Sequence, residues 1–160
     1  MARHSFIRMS KLPNVKGRIS YITSHAKQEN LYATYRTADN TFWKNLARES
    51  QQEFQRSGTN GKCIEARELI IALPEIYTTF DPQQVLEEFT DKFRQQYGVE
   101  CVSALHHNKR KTNYHIHLIW SSERGISCTR SCWASALLSS VEKRSSYPFK
   151  LMFAPFFGIV

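Results

Sequence analysis

From His4 to Met9 polar and apolar residues alternate with the two-residue period of a strand, after which Pro13 and Gly17 punctuate a turn. Arg18-Ile19-Ser20-Tyr21-Ile22 then reads as a short helix. Between Asp39 and Arg56 the apolar residues Phe42, Trp43, Leu46, Ala47 and Phe54 recur at helical spacing among charges, and Ser57-Gly58-Thr59-Asn60-Gly61 ends the pattern as a loop. Ile64 to Leu73 is rich in Ile, Leu and Ala and stops at Pro74, as a buried strand does. On its two-residue period Glu68 shares a face with Ile70 and Ala72, an unusual place for a carboxylate.

The next segment carries a full set of helix punctuation. Asp81 caps, Pro82 takes the first helical position, Gln84 stands where a capping box needs it, and Gly98 follows the end. Val85, Leu86, Phe89, Phe93 and Tyr97 make the apolar stripe. Val99–His107 and Tyr114–Trp120 then form two strands, and the polar, basic connection of residues 108–113 is short enough for an antiparallel hairpin. Strand, helices, strand, helix, strand, strand predicts an α+β fold with helices packed on a largely antiparallel sheet. The 160 residues fit one domain with a real core, and no internal repeat is visible.

Charge changes the picture next. Twenty-two Lys and Arg face 14 Asp and Glu, a formal +8 with a pI near 9.5. Such an excess suits a polyanion, with nucleic acid the first candidate and a merely solvated basic surface the alternative. The four cysteines, Cys63, Cys101, Cys128 and Cys132, come without an apolar signal segment, which points to reduced thiols and the cytoplasm. Cys128 and Cys132 have no second Cys/His pair beside them to complete a zinc site. No apolar run reaches the roughly 18–20 residues of a membrane span.

The chemistry concentrates on the last hairpin. His115 and His117, two apart on a strand, project from one face, and His106 or His107 lies across the hairpin. Three imidazoles can hold a divalent cation and leave coordination positions open, whereas a lone His-x-His pair is more often a hydrogen-bonded surface strand. His4 and His25 lack such company.

Several segments, taken in order, resemble the MobA/MobL plasmid mobilisation relaxases. They are Tyr21 within Gly17-Arg18-Ile19-Ser20-Tyr21-Ile22, Arg67-Glu68-Leu69 leading to Ala72-Leu73-Pro74, Tyr97-Gly98-Val99, and Ala104-Leu105-His106. Asn113-Tyr114-His115-Ile116-His117-Leu118-Ile119 with Ser122-Glu123-Arg124 completes the set. The resemblance spans residues 1–124, and the His-hydrophobe-His triplet is the mark of the wider HUH endonuclease class. It implies a relaxase/Rep-like nuclease sheet presenting His106, His115 and His117 to Mg²⁺ or Mn²⁺, with Tyr21 as nucleophile. The residue after Ala-Leu matches the family's third histidine, which selects His106 over His107.

Under that resemblance Tyr21 attacks the scissile phosphate, leaving a 3′ hydroxyl and a 5′ phosphotyrosine link that keeps the bond energy for rejoining. A phenol is nucleophilic only as it loses its proton, and Glu68 or the metal is expected to help; an ion pair of Glu68 with Arg67 or a lysine is the duller alternative. Single-stranded origin-of-transfer DNA is the implied partner, with accessory and coupling proteins of the mobilisation complex. Arg18, Tyr32, Tyr35, Arg36, Lys109, Arg110 and Lys111 are candidate DNA contacts, the tyrosines by stacking and the cations on phosphates. Tyr32 and Tyr35 also compete with Tyr21 for the nucleophile's role.

After Arg124 the sequence departs from the family into a Ser-, Cys- and Phe-rich tail, residues 125–160, that reads as a truncated or frameshifted frame. The competing readings are therefore a catalytically impaired fragment that binds DNA without cutting it, and a metal-dependent hydrolase of another kind that leaves no protein–DNA link.

Overall fold

The computed structural model describes residues 7–112 and 114–121. The proposed 125–160 tail, His4, Cys128 and Cys132 lie outside the described residues. In chain order the elements are β1 (Ile7–Leu12), α1 (Val15–Ile22), β2 (Leu31–Arg36), α2 (Asn40–Ser57), β3 (Ala66–Ala72), a 3-10 helix (Glu75–Thr79), α3 (Pro82–Tyr97), β4 (Cys101–His107) and β5 (Tyr114–Ser121). The strands form one five-stranded sheet in the order β1-β3-β5-β4-β2, antiparallel at every junction. The fold is thus the α+β arrangement of helices on an antiparallel sheet that the sequence predicts.

Each helix is set by its ends. Asp39 accepts from the Phe42 N–H and Asp81 from the Gln84 N–H, both at 2.8 Å, while Gly58 and Gly98 close α2 and α3 in the left-handed conformation. Only half of the expected capping box forms, because the Gln84 amide turns outward to Glu88 at 3.1 Å. Helix α1 begins earlier than its sequence suggests. Gly17 is not in a turn but in the helix's first turn, where its N–H donates to the Asn14 cap at 2.9 Å and an added Cβ would sit 2.8 Å from Asn14 Nδ2.

The two faces of the sheet bury different partners. Leu69, Ile71, Leu105, Ile116, Leu118 and Trp120 pack beneath Leu86, Phe89 and Phe93 of α3. Ala66, Val102, Ala104 and Ile119 pack against Val15, Ile19 and Ile22 of α1 and Trp43 and Ala47 of α2. The alternation along β5 explains its composition: Tyr114, Ile116, Leu118 and Trp120 serve the α3 side, while His115, His117 and Ile119 serve the other.

Strand β2 is absent from the sequence prediction. Its pairing with β4 shifts register between Leu31 and Ala33, so that these residues enter opposite cores instead of sharing a face. Among the described residues no helix is long and apolar enough to cross a membrane.

Candidate functional site

The register brings the sequence-selected histidines together. His115 lies opposite Ala72 on one side and His106 on the other; His117 lies opposite Ile70 and Ala104. Residues directly opposite share a face, so His106, His115 and His117 point to the α1 side and His107, paired with Tyr114, to the α3 side. The register thus puts His106, and not His107, on the face of His115 and His117. Its ring lies 4.7 Å, centre to centre, from that of His117.

Helix α1 roofs the pocket these rings line. Arg18, Tyr21, Gln28, Asn30, His106, His115 and His117 enclose about 260 Å³. Tyr21, 45% exposed, stands at the C-terminal end of α1. Its neighbour Arg18 holds its guanidinium carbon 5.3 Å from the centre of the Tyr21 ring, within cation–π range.

Arg18 also reaches inward. Its Nε lies 3.1 Å from both Glu68 carboxylate oxygens and its terminal nitrogen 2.9 Å from Oε1, while His117 Nδ1 approaches the same Oε1 at 2.9 Å. Glu68 is 2% exposed. Burial by itself would raise its pKa, but the hydrogen bonds from His117 and Arg18, with the Arg18 charge, outweigh burial and hold it below the usual carboxylate value. The ion pair that the alternative reading gives Glu68 with Arg67 or a lysine forms, among the described residues, with Arg18 instead. Both carboxylate oxygens are engaged, Oε1 by Arg18 and His117 and Oε2 by Arg18.

The histidines suit a divalent cation in kind. Burial, and secondarily the charges of His117, His115 and Arg18, pull the His106 pKa down to about 4 against the lesser pull of its Ile22 hydrogen bond. Burial and His117 lower that of His115. Both rings are neutral at pH 7, the state in which imidazole ligates metal. His106 Nε2 donates to the Ile22 carbonyl at 2.9 Å, leaving its lone pair on Nδ1; His117 donates from Nδ1 to Glu68, leaving its lone pair on Nε2. An imidazole backed by a carboxylate is the usual setting of a metal-bound histidine. The donor chemistry fits, although among the described residues no three His, Cys, Asp or Glu side chains are arranged as a ligand group.

The other candidates fall elsewhere. Tyr35 donates its hydroxyl to Asp91 of α3 at 2.9 Å, the hydrogen bond to Asp91 and burial raising its pKa, and its ring packs against the α3 core. Arg36 is exposed and bonded to Asn40 and Thr23. Tyr32 lies over His107, and Lys109, Arg110 and Lys111 are exposed on the β4–β5 turn. His25 is exposed and outside the pocket lining, and Cys63 and Cys101 are buried free thiols.

Sequence reasoning missed Gln28 and Asn30 in the pocket wall, and the buried Glu65. Asn30 donates its amide to the His107 carbonyl at 2.7 Å; Glu65 accepts from the Val15 N–H and the Gln51 amide, both at 2.8 Å. A polar stretch following a helix gives no sign of Asn30's role. Glu65, flanked by Ile64 and Ala66, carried the same signal as Glu68: a carboxylate in a buried strand.

Comparison with known proteins gives the site its setting. A solved structure described as "Molecular Basis of Vancomycin Resistance Transfer in Staphylococcus aureus" superposes with a TM-score of 0.55 at 14% identity, over 91% of this chain and 100% of that one. At that identity the likeness speaks for the fold. No curated protein is a significant match. The MobA/MobL family profile matches residues 53–144, taking in Glu68, His106, His115 and His117 and running past Arg124, with Arg18 and Tyr21 preceding the matched stretch. With more than half of its length matched, the chain belongs to the MobA/MobL family of plasmid mobilisation relaxases.

Proposed function

We propose that this chain nicks one strand of plasmid origin-of-transfer DNA through a 5′-phosphotyrosine intermediate on Tyr21. The observation that carries the reading is the gathering of Tyr21 with His106, His115 and His117 in one pocket open to solvent. A nucleophile beside three imidazoles matches what phosphodiester transfer requires: an attacking oxygen and a group that offsets the phosphate's charge.

In this account Tyr21 Oη forms a bond to phosphorus as the bond from phosphorus to the 3′ oxygen breaks; the phenolic proton is released and the 3′ oxygen leaves as a hydroxyl. His106, His115 and His117 would hold Mg²⁺ or Mn²⁺, which when bound withdraws charge from the phosphate. Glu68 fixes the His117 tautomer so that Nε2 faces the pocket, and Arg18 fixes Glu68. Arg18, already seated against the Tyr21 ring, supplies positive charge to the edge where DNA enters. Because the transferred bond energy is retained in the Tyr21–phosphate link, religation needs no further cofactor. Accessory and coupling proteins, and a cytoplasmic setting, accompany this role.

Supercoiled plasmid carrying a transfer origin tests the proposal. Incubation with the protein and Mn²⁺ is expected to yield open circles with a free 3′ hydroxyl and a blocked 5′ end. Nicks with free 5′ phosphates would instead indicate a hydrolase, and binding without nicking a DNA-binding module.

A further inference from the structure

The pocket's rim continues onto the opposite face of the sheet. His106 and His107 end β4 with side chains on opposite faces, the first in the pocket and the second against Tyr32. The Tyr32 and His107 ring centres are 4.7 Å apart, and Tyr32 meets Tyr114 edge-on at 5.6 Å. His107 and Tyr114 are each only 7% exposed, whereas Tyr32 is 46% exposed. One aromatic ring is thus left open to solvent on a base of two buried ones. The base is rigid: His107 donates from Nδ1 to the Asn108 carbonyl at 2.6 Å and from its backbone N–H to the Asn30 carbonyl at 3.0 Å. Asn30 belongs to both places, since it also lines the histidine pocket.

Between the two faces runs the β4–β5 turn. Asn108 accepts from Lys111 N–H at 2.9 Å and from Thr112 N–H at 2.8 Å, and this folded turn exposes Lys109, Arg110 and Lys111 together. Asp81, whose charge acts on Tyr114 after burial and Tyr32, has its carboxylate committed to the N-terminus of α3. An open aromatic ring beside three cations suits a stacked base with adjoining phosphates; an apolar helix would find a charged rim instead. Duplex DNA, its bases already stacked on one another, offers the ring nothing.

We infer that Tyr32 on His107 is a stacking platform for an unpaired base of single-stranded DNA, which passes from the pocket around the basic β4–β5 turn. The inference rests on the nicking reading for the identity of the strand. It separates Tyr32 from Tyr35, whose hydroxyl is engaged with Asp91.

The test is an anisotropy titration of a fluorescein-labelled single-stranded oligonucleotide with the full chain in EDTA, where nothing is cut. Tyr32→Ala is expected to weaken binding by roughly 5- to 100-fold, the worth of one base–aromatic stack, and Tyr32→Phe to preserve it. Replacing Lys109, Arg110 and Lys111 together by Gln is expected to flatten the salt dependence. Because Tyr32 packs on two buried rings, the unaltered protein is tested too: an oligonucleotide containing 5-iododeoxyuridine should photocross-link to Tyr32 or His107. Unchanged affinity in Tyr32→Ala, or cross-links confined to other residues, overturns the platform. A protein that cross-links at Tyr32 yet forms no covalent adduct loses the nicking reading and keeps the platform; normal binding and adduct formation in Tyr32→Ala has the reverse meaning.

Discussion

Glu68 is a carboxylate in a hydrophobic sheet, tolerated because three hydrogen bonds from Arg18 and one from His117 replace its lost hydration. Arg18→Ala removes most of that compensation and is expected to cost on the order of 2–3 kcal/mol, measured by urea unfolding. An unchanged midpoint would mean that solvent already satisfies the carboxylate. Glu68→Gln keeps the shape but loses the charge behind His117, and the Mn²⁺ concentration for half-maximal nicking is expected to rise about 10- to 100-fold. An unaltered Mn²⁺ requirement would remove Glu68 from the metal's surroundings. Much at this scale was legible: a two-residue period puts His115 and His117 on one face and gives Glu68 the unusual company of Ile70 and Ala72. The partner of Glu68 was not, because Arg18 lies fifty residues away and only the packing of α1 across the sheet joins them.

Helix α1 carries both Arg18 and Tyr21, and its anchorage is set by Glu65. The carboxylate accepts the first N–H of the helix, from Val15, and the Gln51 amide of α2, tying two helices to the start of β3. Glu65→Ala leaves a buried helix end without its acceptor, which predicts a loss of roughly 2 kcal/mol in thermal or urea unfolding and a slower nicking rate from a misplaced Tyr21. Wild-type stability with wild-type nicking would show that α1 holds its place without this tie. At the scale of elements, capped helices and alternating strands were readable from local residues. Strand β2 was not: Leu31 and Ala33 suggest one buried face, yet the register shift sends them into different cores. The start of α1 was misread for a related reason, since Gly17 looks like a breaker but makes room for the Asn14 cap.

The whole molecule spends its two faces differently. Under α3 the sheet is closed and largely apolar, with the Thr90 and Ser103 hydroxyls bonded to each other, while on the α1 side the helices cover only one end and leave the histidine end open. The net charge of +8 supports association with DNA independently of any metal, so binding and cutting should be separable. Chelation is expected to stop nicking while leaving oligonucleotide affinity within about twofold at constant salt, as measured by anisotropy; affinity that collapsed on chelation would make the cation part of the DNA-binding surface. The central claim, that Tyr21 forms the covalent link, is tested most directly by digesting the product of protein, Mn²⁺ and a 5′-cleavable origin oligonucleotide and locating the nucleotide by mass spectrometry. The account predicts a phosphodiester on Tyr21, absent in Tyr21→Phe. A link on Tyr32 or Tyr35, or cleaved DNA with no protein attached, would contradict it.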